Sequence, residues 1–204
     1  MTDIRAYVFI DQAQPQFAAY IGTVTSGDLL TKGMSALYVE VAPGNEVFRL
    51  VDVALKSSDV RLGAQIVERE FGTIEVHSFD PSAVRMAGET ILGHLGKSPA
   101  DAQAPEITST ERISNVHAYQ AQLLNRSRRG SMVVPGDSLA VIECAPAAYV
   151  NLAANEAEKA ASVTLVNCAS VGRYGRLWVS GRESDVEAAQ AAAVAALRRR
   201  PGER

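Results

Sequence analysis

The chain has 204 residues, enough for one large domain or for two of about 100 residues that each bury a core of their own. A 47% hydrophobic fraction beside 21% charged residues describes an ordinary globular protein, and a formal net charge of -3 gives no electrostatic draw toward nucleic acid. Two cysteines, Cys144 and Cys168, without CxxC spacing, speak against a disulfide scaffold and a zinc site, and fit reduced, buried, small apolar side chains.

The opening run MTDIRAYVFIDQAQ has no basic stretch leading into a long apolar one, and nowhere do 18 apolar residues run together. The sequence therefore predicts a cytoplasmic protein with no membrane partner. A leading segment, IRAYVFIDQAQPQFAAYIGTV, precedes a more regular core. In that core Leu37, Val39 and Val41 alternate with Tyr38 and Glu40 as a half-buried strand, which Pro43-Gly44-Asn45 breaks. Val47, Leu50, Val51, Ala54 and Leu55 then follow the stripe of a helix packed on one face. Strands are predicted at VRLGAQIVE and TIEVHSF. Between them lies IVEREFG, with Glu68, Arg69 and Glu70 in a row; taken alone, it reads as a solvated turn. A second helix opens at Asp80, an N-cap followed by Pro81 at the first helical position. The stretch GKSPADAQAPEI, 96–107, is rich in Pro, Ala and Asp and lacks period, as an exposed linker should, and it divides the chain into residues 1–100 and 101–204.

Beyond it comes a second leading segment, ISNVHAYQAQLLNRSRRGSMV, and then a strand from Ser138. Val150, Ala153, Ala154, Ala157 and Ala161 form a helical stripe of smaller residues, which predicts closer helix-to-sheet packing. Strands follow at VTLVNCASV and RLWVSG. Ser184-Asp185-Val186-Glu187 fits a capping box for the last helix, and Arg198 to Arg200 end it, where cations suit the helix dipole.

The two halves repeat one another. SALYVEVAPGNEVFRLVDVALKSSDVRL from Ser35 and SLAVIECAPAAYVNLAANEAEKAASVTL from Ser138 register without a gap, 103 positions apart. The offset pairs Glu40 with Glu143, Lys56 with Lys159, Phe71 with Tyr174 and Gly72 with Gly175. So long a period means two whole domains, because solenoid repeats run about 20 to 50 residues. The order strand, helix, strand, strand, helix predicts an α+β unit, a mainly antiparallel sheet with helices on one face.

VDVALKSSDVRL and ANEAEKAASVTL resemble the helix-to-strand signature of bacterial microcompartment (BMC) shell proteins. With the leading segment placed before the core and the VEREFG string, the chain is similar to a narrower group, the circularly permuted tandem-domain shell proteins that form gated trimers and are best known from carboxysomes. The resemblance implies two tandem ferredoxin-like BMC domains. It implies a homotrimer whose six domains form a pseudohexagon that tiles with other hexameric shell proteins; relatives also stack two trimers face to face. It places the loops 67–72 and 170–175 at a central pore for metabolites, Glu68 and Arg69 as the gating pair, and Glu70, Phe71, Gly72, Val171, Gly172 and Arg173 around it. Gly72 and Gly175 would let backbones approach at the crowded axis. Glu70 and Arg173, equivalent at the offset, would alternate as an ion-pair ladder. Lys56 and Lys159 resemble the lysines along the edges between hexagons. Glu70 stands where related chains often have a small residue, which predicts different pore electrostatics. The short run before the first strand points to an organelle that processes alcohols or aldehydes rather than to a carboxysome.

His77, His94 and His117 are scattered without ligand spacing, and no GxSxG, phosphate-binding glycine loop or framed carboxylate pair is present. Neither catalysis nor a metal or cofactor is expected. GRYGR at 172–176 could pass for an anion-binding turn. The competing class is a small-molecule sensor of tandem ferredoxin-like domains, and a third is an enzyme with an inter-subunit cleft.

Overall fold

The computed structural model describes residues 2–199. Each half is a four-stranded antiparallel sheet. In the first, β1 (Asp3–Ile10), β2 (Ser35–Ala42), β3 (Arg61–Glu68) and β4 (Phe71–Ser78) lie in the order β1-β2-β4-β3, with helices α1 (Pro15–Gly22), α2 (Val47–Ser57) and α3 (Pro81–Leu95). In the second, β5 (Glu106–Ile113), β6 (Ser138–Ala145), β7 (Thr164–Ala169) and β8 (Gly175–Gly181) repeat the order as β5-β6-β8-β7, with α4 (Ala118–Ser127), α5 (Val150–Ala160) and α6 (Glu183–Leu197). The 103-residue offset holds at the level of register: Val39 pairs with Ile74 as Ile142 pairs with Leu177.

The alternation read in β2 sorts side chains to two faces. Leu37, Val39 and Val41 join Ile74 and Val76 beneath α2 and α3. Ala36 and Tyr38 point the other way, onto α1, where the rings of Phe17 and Tyr38 meet edge to face at 6.4 Å. Both faces of β2 are therefore buried, and helices cover the sheet on two sides rather than one. The short α1 reaches the second face because the leading segment supplies an edge strand and then turns back across the sheet.

Asp80 caps α3 as its position predicts, accepting from the Ser82 amide at 2.8 Å. The capping box at Ser184 does not form: α6 starts at Glu183 with Arg182 as N-cap, so Ser184 lies inside the first turn. Glu183 and Asp185 serve that end instead through their charge. The small residues of α5 pack it more intimately against α6 than α2 packs against α3, while its contact with the sheet is no closer than that of α2, so the closer approach is between helices and not between helix and sheet as the stripe predicted. Arg198 is the C-cap of α6, whereas Arg200 lies outside the described residues. The stretch 96–107 is a packed connector more than a free linker. Gly96 ends α3 in the left-handed region, Ser98 and Asp101 cap a 3-10 turn at Pro99–Asp101, Ala102 is buried against Ile4 and Leu92, and β5 already begins at Glu106.

The two halves are joined through α1. Its first turn has no acidic residue and no side-chain cap of its own. Glu158 of α5 accepts from the amides of Gln16 and Phe17, each at 2.8 Å, and Asn155 accepts from that of Gln14 at 2.8 Å. The Gln16 side chain bonds the Val163 carbonyl and the Leu165 amide, satisfying part of the exposed edge of β7. Glu158→Ala is expected to cost about 1–2 kcal/mol of stability in urea denaturation, the loss of a doubly used helix cap; an unchanged midpoint would show that α1 does not depend on the second half.

Candidate pore loops and the seam between the halves

The hairpin that carries Glu68, Arg69 and Glu70 is a tight one. Glu68 pairs with Phe71 and leaves two residues at the tip. Arg69 takes φ 53°, and its counterpart at the offset, Gly172, takes φ 100°. A first turn residue with positive φ favours glycine, and an L side chain there costs about 1–2 kcal/mol. The second half uses glycine; the first half accepts the strain and presents a guanidinium.

Arg69 is the most exposed of the charged pair, and its Nε lies 3.4 Å from the Glu68 carboxylate. A surface pair of this kind is worth about 0–1 kcal/mol, so it can open readily. The Glu68 carboxylate also lies beside Gly172, which brings the two loops of one chain into contact. Glu70 is exposed and makes no ion pair with Arg173 within the chain, among the described residues; Arg173 lies over the Tyr174 ring at 5.4 Å. Phe71 packs beneath Arg5, whose Cζ sits 3.6 Å above the ring centroid, so it anchors the hairpin's base. Gly72 and Gly175 do allow close backbone approach, but to the chain's own 3-10 turns. A Cβ on Gly72 would meet the Gly44 carbonyl, and one on Gly175 the Ala147 carbonyl. Val171 is half-buried near the seam, away from the tip.

Lys56 and Lys159 stand at corresponding places near the ends of α2 and α5. Each is held by its own helix, Lys56 by Asp52 at 2.6 Å and Lys159 by Glu156 at 2.7 Å. Arg176 of the GRYGR run is taken by Glu143 at 2.8 Å, which removes it from an anion-binding turn. Both cysteines are buried and free, and burial pushes the Cys144 thiol up to about 12 and raises that of Cys168 as well. His94 is exposed near the end of α3, and His117 caps α4 through Nδ1. Among the described residues no helix is long and apolar enough to cross a membrane, and no group of three or more His, Cys, Asp or Glu is placed to hold a metal ion.

Two polar clusters at the seam escaped the sequence reading. Glu40 is buried and accepts from Arg5 Nε at 2.7 Å and, across the seam, from the Ala148 amide at 2.9 Å. Burial still raises its carboxyl above the ordinary value against both bonds. On the same sheet face His77 is fully buried, with Nδ1 2.9 Å from Glu75 and Nε2 3.4 Å from Asp28. The signal was the period-two polar stripe Thr73, Glu75, His77 in β4, on the face opposite Ile74 and Val76. Burial raises the Glu75 carboxyl. Burial also works against the His77 imidazolium, but the hydrogen bond and charge of Glu75, with those of Asp28, outweigh it and raise His77 above 6.5. Both shifts mean that folding takes up protons. The stabilisation from His77 is complete below 6.5 and lost as pH rises through its folded value, and the cost of ionising Glu75 grows in the same direction.

Two outcomes are expected. Denaturation midpoints of the wild type fall between about pH 6 and 9, and His77→Gln flattens that slope; equal slopes would remove the cluster as its source. Arg69→Gly raises stability by about 1 kcal/mol by relieving the turn, and a loss of stability would show that Arg69 carries no strain.

The chain matches the family model CsoS1D N-terminal domain over residues 4–101 and the BMC domain over residues 138–203. It is 45% identical to the carboxysome shell protein CcmP of Synechococcus elongatus over 99% of this chain and 97% of that protein. It is 50% identical to the carboxysome shell protein CsoS1D of Hydrogenovibrio crunogenus over 98% of each. Among solved structures, the fused permuted hexameric shell protein MSM0275 from the RMM microcompartment superposes with a TM-score of 0.94 at 45% identity, covering 96% of both chains. The double ringed trimeric shell protein MSM0271 from the same microcompartment gives 0.93 at 38% identity, covering 97% of this chain and 96% of that one. Carboxysomes and a second kind of microcompartment are both represented, and the relatives are named as structural shell proteins, which sets the sensor reading aside. With two permuted α+β halves, a single sequence offset and relatives of matching length, the chain belongs to the circularly permuted tandem-domain BMC shell proteins.

Proposed function

We propose that three copies of this chain close into a pseudohexagonal shell tile in the cytoplasm, around a pore that Glu68 and Arg69 gate for metabolites. The two domains of each copy, residues 1–100 and 101–204, would be alternate wedges of the ring. The observation that carries this reading is the unequal use of two equivalent helices. α1 is seated on α5 and β7 of its own chain. Among the described residues its counterpart α4 has no such seat in the chain, and it leaves Tyr119 64% and Leu123 45% exposed.

At the 103-residue offset the place for α4 is α2 and β3 of a neighbouring copy. Gln14, Gln16 and Tyr20 become His117, Tyr119 and Leu123, and their partners Asn155 and Glu158 become Asp52 and Leu55. Leu55 is itself 44% exposed, so a seam closed by a carboxylate cap within the chain turns apolar between chains. Glu143, the counterpart of Glu40, is half-exposed and would receive the Asn45 amide as Glu40 receives that of Ala148. Contacts of this head-to-tail kind close into a ring when the rotation allows, and the relative MSM0271, a double ringed trimeric shell protein, supports both the ring and its stacking.

Within that ring the strained Arg69 tips meet near one axis, where like charges repel unless Glu68 neutralises them. Two arrangements follow, with the pairs across the axis or folded back as the 3.4 Å contact has them. Glu70 and Arg173 would pair between copies. Lys56 and Lys159 would exchange their helix partners for contacts across tile edges to other hexameric shell proteins. The role is structural and gives the chain no catalytic step.

Light scattering with negative-stain imaging tests the assembly. The expected result is a three-chain or stacked six-chain particle that forms hexagonal discs and sheets. Leu55→Asp with Leu123→Asp is expected to give a folded monomer, read by unchanged circular dichroism. A wild-type monomer, or a trimer indifferent to both substitutions, would overturn the proposed seam.

A further inference from the structure

Helices α2 and α5 are equivalent at the 103-residue offset, yet one flank of each meets a different fate. On α5 that flank carries Asn151, Asn155 and Glu158. Asn151 and Asn155 are fully buried, and α1 and β1 of the same chain pack against α5. On α2 the same three positions hold Phe48, Asp52 and Leu55, spaced four and three residues apart so that they form one stripe. Phe48 is 58% exposed, Leu55 is exposed as well, and the Asp52 carboxylate pairs with Lys56 of its own helix.

The elements equivalent to α1 and β1 are uncovered in turn. β1 buries Ala6 and Val8, whereas Ser109 and Glu111, at the same places on β5, are exposed. At the start of α1 the amides of Gln14, Gln16 and Phe17 all bond to α5. At the start of α4 the Tyr119 amide is capped by His117 Nδ1, and those of His117 and Gln120 have no acceptor among the described residues. Each chain thus carries one empty seat and one unseated helix of the matching build.

We propose that the stripe of Phe48, Asp52 and Leu55 in one copy receives α4 and β5 of a second copy, with Phe48 as the apolar anchor and Asp52 as the cap that α4 lacks. The inference rests on the ring reading and names the residues that hold the ring closed. In the inner seam Asn155 Oδ1 accepts from the Gln14 amide at 2.8 Å, and at the offset this pair becomes Asp52 and His117. A carboxylate accepts where the amide oxygen did, and its charge suits the positive end of α4, whose first turn has no acidic residue to oppose it. The exposed pair with Lys56 gives way readily. Phe48 stands in the place of Asn151, so this flank associates by burying an aromatic ring. The occupant is this chain rather than another protein, because α4 and β5 already have the geometry the seat requires: β5 pairs with β6 in the register, bulge included, with which β1 pairs with β2.

Sedimentation equilibrium on the full chain tests the stripe. Phe48→Ala is expected to raise the concentration at which the ring half-dissociates by about thirtyfold, and Asp52→Ala by about tenfold. Asp52→Asn, which restores the acceptor used in the inner seam, is expected to regain most of that loss. Both side chains are exposed in the single chain, so circular dichroism is expected to stay that of the wild type. Asp52→Cys combined with His117→Cys gives a reading independent of affinity: mild oxidation is expected to link neighbouring copies into covalent dimers and trimers on a denaturing gel, and neither substitution alone is. A wild-type ring that keeps its stability in Phe48→Ala or in Asp52→Ala, or that yields no cross-link, would overturn the stripe and leave the ring standing. A wild-type chain that stays monomeric would overturn both.

Discussion

Helix α1 has eight residues, too few to be stable by its own hydrogen bonds, and its first amides have no acceptor within its own half. Glu158 and Asn155 of the second half accept them, and the Gln16 side chain returns the bond to the edge of β7. The arrangement makes one half incomplete without another. In the proposed ring each domain's covering helix is finished by the neighbour on one side, and its other side receives the helix of the next. In a tandem chain the first meeting is covalent and the next is left for another copy.

Duplication then frees the two kinds of seam to differ. Within the chain the seam joins an apolar core, in which Phe17, Ile21 and Tyr38 meet residues of α5 and β7, to carboxylate caps and the buried pair of Arg5 and Glu40. Such bonds fail when geometry is slightly wrong, which a covalent connection of packed residues 96–105 prevents. At the equivalent place on α4 and α2 the exposed groups are Tyr119, Leu123 and Leu55, and apolar contact tolerates the imprecision of two molecules docking.

The strands and the core helices were legible because each has a single dominant period, and the offset between halves confirmed them twice over. α1 and α4 were less so, because their burial depends on which half lies beside them, and α1 alone finds its partner in the chain. The Asp28–Glu75–His77 cluster was hidden for a related reason. On a strand buried on both faces, polar residues at every second position read as the solvent side, whereas a helix from the leading segment covers them. The residues proposed for the gate were located by resemblance to a family, and the geometry adds what neither period nor composition holds, the positive φ of Arg69.

That torsion sets the two candidate pore loops apart. A positive φ stands at the equivalent position of both loops, the tight hairpin of the first half and the longer loop between β7 and β8, and glycine at 172 adopts it without strain. Retaining arginine at 69 costs stability that a single substitution would recover, and the side chain makes only one loose, exposed contact in return. Nothing in the fold needs that charge, since the hairpin is held at its base by Phe71 under Arg5 and by Gly72 against the Gly44 turn. A strained residue that supports no packing points to a role for its head group outside the chain, and in the proposed ring the outside at the tip of this loop is the axis.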